Sequence, residues 1–105
     1  MPKRNAIARQ VSGYGEARQP GDFYFLQHRG ERVGLVHTCP CGCGSIGSLY
    51  WKNPREGGAN WTVSGEWPKV TLSPSIGFSG NHDSPKGPDG FHWHGHLIDG
   101  IFTEC

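Results

Sequence analysis

The cysteines are the residues in this sequence whose type and spacing most directly suggest chemistry. The chain has four, and Cys39, Cys41 and Cys43 alternate with proline and glycine in the segment CPCGCG. In an extended chain, residues two apart point to the same side, so three thiols spaced in this way can converge. The same spacing is poor for disulfides, whereas thiolates are preferred ligands of Zn²⁺. The segment therefore predicts a metal centre, and Cys105 is expected to remain a free thiol.

A second group of ligand-type side chains follows near the C-terminus, where His92, His94 and His96 also alternate. Three cysteines and one histidine form a common closed set around a structural zinc ion. We therefore predict one structural Zn²⁺ bound by the three cysteines and His94, with His92 as the alternate fourth ligand. The other four histidines are expected to be ordinary solvated or hydrogen-bonded residues: His28, His37, His82 and His96.

Two serines in the segment TLSPSIG, Ser73 and Ser75, could in principle be nucleophiles. The chain lacks the Gly-x-Ser-x-Gly turn that exposes a catalytic serine in one large class of hydrolases. Serine and proline at the end of a strand usually form turns by hydrogen-bonding to nearby backbone. We therefore interpret both serines as turn residues.

Composition limits how these groups can be held in place. Only 34% of the 105 residues are hydrophobic, and there are 17 glycines and 8 prolines. A small domain of this kind buries too little apolar surface to dispense readily with a metal or disulfide cross-link. The net charge of +1 does not favour a nucleic-acid surface. Because no apolar run suits a membrane span or a secretory signal, we expect an intracellular protein in the host cytoplasm, with reduced thiols.

The elements that must position the site are predicted to be strands. Short aromatic or β-branched segments alternate with residues that break regular structure, which is typical of β-proteins. Asp99-Gly100 between two apolar runs predicts a tight hairpin. The fold class expected is mostly β: a small antiparallel sheet, or two packed sheets, stapled by a zinc knuckle. The predicted strands are 23–26, 32–37, 45–51, 60–63, 69–72, 91–98 and 101–103.

The chain divides by composition into two parts. Residues 1–21 are basic and lack an apolar period, and they predict an irregular N-terminal arm that is flexible or docks on a partner. Residues 22–105 are predicted to form the zinc-stapled β domain. Within that domain, residues 79–90 are rich in proline and glycine and predict a long loop.

Residues 22–103 resemble a family of small uncharacterised proteins from phage genomes and bacterial operons. The resemblance is carried by the CPCGCG knuckle, by a Trp-bearing strand at 60–62, by the TLxPSI segment at 71–76, and by a C-terminal histidine segment that ends in a glycine turn. Many members have a further cysteine just before the C-terminal histidine, where this chain has Phe91-His92. The resemblance implies a zinc-stapled β module in a phage or mobile-element setting, with a virion component or accessory protein as the expected role.

Three functions remain open at this stage. The favoured hypothesis is a non-catalytic module that acts as a structural or protein-interaction protein, because a closed zinc site leaves no position for a reactive water. A metal-dependent hydrolase would need a carboxylate beside a metal-bound water, with Asp83, Asp89 and Asp99 as candidates. A single-stranded nucleic-acid-binding knuckle would use the four tryptophans for stacking: Trp51, Trp61, Trp67 and Trp93.

Overall fold

The computed structural model describes residues 3–16, 19–78, 86 and 90–105. Short strands follow one another throughout these residues, with a single 3₁₀ turn at Tyr14–Glu16. The strands are β1 (Ala6–Ile7), β2 (Arg9–Gln10), β3 (Asp22–His28), β4 (Glu31–Thr38), β5 (Ile46–Tyr50), β6 (Thr62–Glu66), β7 (Lys69–Phe78), β8 (Trp93–Ile98) and β9 (Ile101–Glu104). The prediction of a mostly β protein is confirmed.

The strands form two sheets. The larger has the order β1-β9-β8-β7-β6, and every neighbouring pair in it is antiparallel. The smaller has the order β2-β3-β4-β5, in which β2 runs parallel to β3 and the other pairs are antiparallel. Of the two architectures left open by the sequence, the structure has the one with two sheets.

Both sheets contribute to one hydrophobic core. Phe23 on β3 and Leu35 on β4 are almost fully buried, and they belong to the same apolar cluster as Trp93, Leu97 and Phe102 of the larger sheet. Alternation along β8 places Trp93 and Leu97 in this core, whereas His94 and His96 stay partly exposed. The core thus fixes β8, and the period of two turns the histidines away from it.

β7 is longer than the sequence predicted, and this changes the place of the serines. The strand runs from Lys69 to Phe78, so Ser73 and Ser75 lie inside it rather than in a turn at its end. The pairing of β7 with β8 is irregular between Leu72 and Ile76. Such irregularities locally bend a strand and re-aim side chains, often beside active sites.

The N-terminal residues contribute to both sheets. Ala6 of β1 pairs with Phe102 of β9, and Arg9 of β2 pairs with Asp22 of β3. Division of the chain after residue 21 stays a prediction. Within the described part of the chain, no helix has the length and apolar character needed to cross a membrane.

Candidate active site and metal centre

A serine and a histidine meet where β7 pairs with β8. Ser75 Oγ lies 2.8 Å from His94 Nε2, which is hydrogen-bond distance. The register pairs Gly77 with His94 and Ile76 with Gly95, so Ser75 and His94 are diagonal neighbours across the two strands. Neither sequence spacing nor a local motif brings them together, because 19 positions separate them.

The backbone around Ser75 is held by a tryptophan. Trp61 Nε1 points at the carbonyl oxygens of Pro74 and Ser75, at 3.1 and 3.3 Å. The backbone amide of Trp61 donates in turn to the carbonyl of Tyr50 at the end of β5, at 2.7 Å. The indole therefore ties the irregular part of β7 to the smaller sheet and limits where Ser75 can move.

The imidazole of His94 is supported by an aromatic ring. The rings of Phe91 and His94 have centroids 5.1 Å apart and are inclined at 35°. The same phenyl ring lies against Gly77, where an added methyl group would overlap it. The backbone carbonyl of His94 accepts a hydrogen bond from the amide of Cys105 at 2.9 Å. These contacts hold His94 in the orientation that faces Ser75.

The three cysteines of the CPCGCG segment form a separate cluster after the end of β4. The Sγ atoms of Cys39, Cys41 and Cys43 all lie within 4.8 Å of one another, close enough to hold a metal ion. Cys39 is buried, whereas Cys43 is exposed. The amide of Cys39 donates to the carbonyl of Ser45 at 2.8 Å, which closes the segment into a compact loop.

His92, the residue before β8, adjoins this cluster. Its Nε2 lies 3.2 Å from Cys41 Sγ. The backbone of His92 is fixed on two sides: its amide donates to the Phe78 carbonyl at 2.7 Å, and its carbonyl accepts from Arg4 Nη2 at 2.8 Å. The structure thus brings the three predicted cysteines together and places the histidine that the sequence offered as the alternate ligand beside one of them, Cys41.

The donor set fits a tetrahedral zinc site. Zn–S bonds of about 2.3 Å place two sulfur ligands about 3.8 Å apart, and Zn–N bonds are slightly shorter. The Cys39 and Cys41 sulfurs are 3.2 Å apart, and all three sulfurs lie within 4.8 Å of one another. Three cysteine thiols with a histidine beside them match the Cys₃His donor set that holds structural zinc.

The thiols differ in acidity because their surroundings differ. Burial raises the pKa of Cys39. Burial also acts to raise the pKa of Cys43, but hydrogen bonds with Ser45 and the other thiols outweigh it and lower that pKa to about 6. In the metal-free chain, Cys43 is therefore a stronger acid than Cys39.

The side chains of the other residues singled out from the sequence belong to neither group. His37 is buried in the core, and that burial lowers its pKa to about 3, so the ring is neutral at neutral pH. Cys105 forms no disulfide, and its Sγ lies 3.8 Å from His96 Nδ1. Asp99 lies in the β8–β9 turn. The remaining candidates lie outside the described residues: His82, Asp83 and Asp89.

Comparison with known proteins bears directly on the chemistry. Residues 10–105 match the family described as bacterial ubiquitination-like system serine protease (BubE). No curated protein and no solved structure matches the chain. The expectations of a non-catalytic structural or interaction module, and of no enzymatic activity, are therefore wrong. They rested on the closed metal site, but a full ligand set says nothing about a nucleophile elsewhere in the fold.

Proposed function

Because the chain belongs to the family of bacterial ubiquitination-like system serine proteases, we propose that it hydrolyses peptide bonds, with Ser75 as nucleophile and His94 as general base. The observation that carries this assignment is the 2.8 Å separation of Ser75 Oγ and His94 Nε2. A hydroxyl within hydrogen-bond reach of an imidazole is the arrangement that activates a serine. Ser73, two residues earlier on the same strand, is exposed and serves as an internal comparison.

The reaction follows from this pair. In the tautomer with Nε2 unprotonated, the Ser75 hydroxyl donates to His94 and transfers its proton as Oγ attacks the carbonyl carbon of the substrate. Collapse of the tetrahedral intermediate breaks the C–N bond, and His94 returns the proton to the departing amine. A water molecule then gives a proton to His94 and attacks the acyl-enzyme; the ester bond to Oγ breaks, the acid is released, and His94 returns the proton to Ser75.

The proposed cofactor is one Zn²⁺ held by Cys39, Cys41, Cys43 and His92. When bound, it would supply a closed four-ligand cross-link without an open position for water. His94, the first choice from the sequence, is assigned to Ser75 instead because its Nε2 faces that hydroxyl. The metal would thus join the loop after β4 to the start of β8, the strand that carries His94.

The substrates proposed are proteins of the ubiquitination-like system named in the family description. A protease in such a system can act on a precursor of the modifier or on the bond between modifier and target. Both substrates are proteins, in agreement with the protein partner expected from the sequence. Phage origin and incorporation into a phage particle stay predictions and carry no part of this proposal.

The assignment can be tested without knowledge of the natural substrate. Purified protein is treated with a biotinylated fluorophosphonate, which reacts covalently with activated serines, and the modified residue is located by peptide mass spectrometry. We expect label on Ser75 in the wild type and in Ser73→Ala, and no label in Ser75→Ala. His94→Gln should slow labelling by about a thousandfold or more, because the general base is lost.

Circular dichroism of the same variants provides the structural control, since none of these changes removes a core residue. Label on Ser73, or equal labelling of the wild type and His94→Gln, would contradict the assignment. A folded wild type that resists the probe altogether, and also cleaves no peptide in an internally quenched library, would overturn the proposed function.

A further inference from the structure

A cavity adjoins the candidate active site. It has a volume of about 280 Å³ and lies between the edge of the smaller sheet and β7. Ser75 is itself part of the wall, so the cavity adjoins the residue proposed as nucleophile. Its other described lining residues come from both sheets and from the segment before β8: His37, Gly47, Ser48, Leu49, Trp61, Ile76, Gly77 and Phe91.

The chemistry of the wall limits what the cavity can hold. Leu49, Trp61, Ile76 and Phe91 supply large apolar surfaces, and none of the described lining residues is Asp, Glu, Lys or Arg. A charged group placed there would lose its hydration without gaining an ionic partner, which is costly. An apolar side chain would gain from leaving water.

A glycine, Gly47, forms part of the cavity wall on the side of the smaller sheet. Gly47 lies in β5 opposite His37 of β4, and a methyl group added to it would lie 3.2 Å from Phe78 Cε1 and 3.3 Å from His37 Cε1. Both distances are tighter than ordinary van der Waals contact. A larger residue at position 47 would therefore press on Phe78 and His37, and His37 is part of the cavity wall.

We infer that this cavity is a specificity pocket, which receives an uncharged, apolar side chain of a substrate residue next to the scissile bond. The inference rests on the proposed function, because it takes Ser75 as the group that attacks. The occupant follows from the shared wall: a peptide whose carbonyl carbon reaches Ser75 must place a neighbouring side chain against Trp61, Ile76 and Phe91.

The test uses internally quenched peptides in which the residues on each side of the cleaved bond are varied systematically. At one of the two positions, we expect leucine, methionine or phenylalanine to exceed aspartate and lysine by at least about tenfold in kcat/KM, and to exceed glycine by a similar factor. Gly47→Val should lower kcat/KM for the large apolar residues by about 10- to 200-fold relative to alanine.

Two further variants keep the result decisive. Gly13→Val is the matched control, because a side chain at Gly13 meets nothing within 4 Å, and its selectivity should equal that of the wild type. If Gly47→Val fails to fold, Ile76→Val removes one methyl group from the opposite wall, and it should shift preference towards larger side chains.

Fluorophosphonate labelling separates the two proposals. If Ser75 is labelled but cleavage shows no apolar preference on either side of the bond, the pocket is overturned and the nucleophile stands. The same holds if neither Gly47→Val nor Ile76→Val changes selectivity. If Ser75 is not labelled in folded protein and no peptide is cleaved, the proposed function fails, and the pocket fails with it.

Discussion

The cysteine cluster and the Ser75–His94 pair differ in how the chain assembles them. Cys39, Cys41 and Cys43 fall within one short segment, and a compact loop is enough to bring their sulfurs together. Ser75 and His94 meet only because β7 and β8 pair in one particular register. A local cluster can be read from spacing, whereas a pair made by strand register cannot, since a slip of one residue would separate it.

The two groups also differ in the chemistry that they can support. A thiolate-rich set with a histidine is closed around its metal and suits a structural role. Ser75 lies within hydrogen-bond distance of His94 and lines a cavity. Neighbouring histidines on one segment, His92 and His94, thus serve stability and catalysis respectively in our proposal. The following variants test that division, from the largest expected effect to the smallest.

Cys41→Ser should have the largest effect, because it removes a central ligand of the proposed zinc ion. Structural zinc contributes roughly 10–16 kcal/mol of apparent binding energy in small metal domains, which equals or exceeds the usual stability of a whole domain. We expect loss of a cooperative thermal transition by circular dichroism, together with loss of zinc by elemental analysis. Cys105→Ser is the matched control and should keep both.

Wild-type protein purified without added metal should contain about one equivalent of zinc on this view. A metal-free wild type that unfolds at the same temperature as zinc-loaded protein would contradict the structural role. Equal damage from Cys41→Ser and Cys105→Ser would contradict the ligand assignment.

Substituting His92 and His94 one at a time gives the sharpest separation between the metal centre and the Ser75–His94 pair. His94→Gln should lower peptidase activity by about a thousandfold or more, because proton transfer from Ser75 is lost, and should leave the zinc content unchanged. His92→Gln should instead lower zinc content and melting temperature. Both variants are measured for turnover of the best quenched peptide, zinc content and unfolding. Loss of zinc in His94→Gln with retention in His92→Gln would reverse our assignment.

Gly77→Ala should have an intermediate effect on catalysis. The added methyl group would overlap the Phe91 ring, and that ring packs on the imidazole of His94. Displacement of the ring should misorient His94 and lower kcat by about 10- to 100-fold, since small errors in the position of a reacting group are costly. Gly13→Ala is the control. Unchanged kcat in a folded Gly77→Ala variant would show that Phe91 does not position His94.

Glu104→Gln should have the smallest effect, on stability alone. The hydrogen-bonded Arg4 side chain lowers the pKa of Glu104 below its ordinary value, and the pair is partly exposed. A carboxyl group whose pKa is lowered by folding stabilises the fold at pH values above its pKa in the unfolded chain, which is about 4.3 for Glu. That contribution is lost as the pH falls through the folded pKa. We expect a loss of about 1 kcal/mol or less at pH 7.

Chemical denaturation of the wild type and Glu104→Gln at several pH values checks this sign. The difference between the two proteins should be constant near neutrality and disappear in acid, below the folded pKa of Glu104. A difference that grows in acid would show that the carboxylate stabilises the fold in some other way.

The strands and the cysteine cluster could be predicted because their signals are local. The alternating histidines predict the strand that became β8, in which the residues between them, such as Trp93, are buried, and two residues, Asp99-Gly100, predict the turn between β8 and β9. Ser75 was misjudged because Pro74 suggested the end of a strand, whereas β7 continues through an irregularity to Phe78. The irregularity and the register are tertiary features, so nothing in the local sequence revealed the partner of Ser75.

The position of His92 immediately before β8 has a consequence for how the enzyme would behave towards inhibitors. Chelators should abolish activity, although zinc takes no part in the reaction we propose, because removal of the metal would release the start of the strand that carries His94. The loss should follow the time course of unfolding rather than that of metal capture. Inhibitor profiling alone would then classify a serine protease as a metalloprotease.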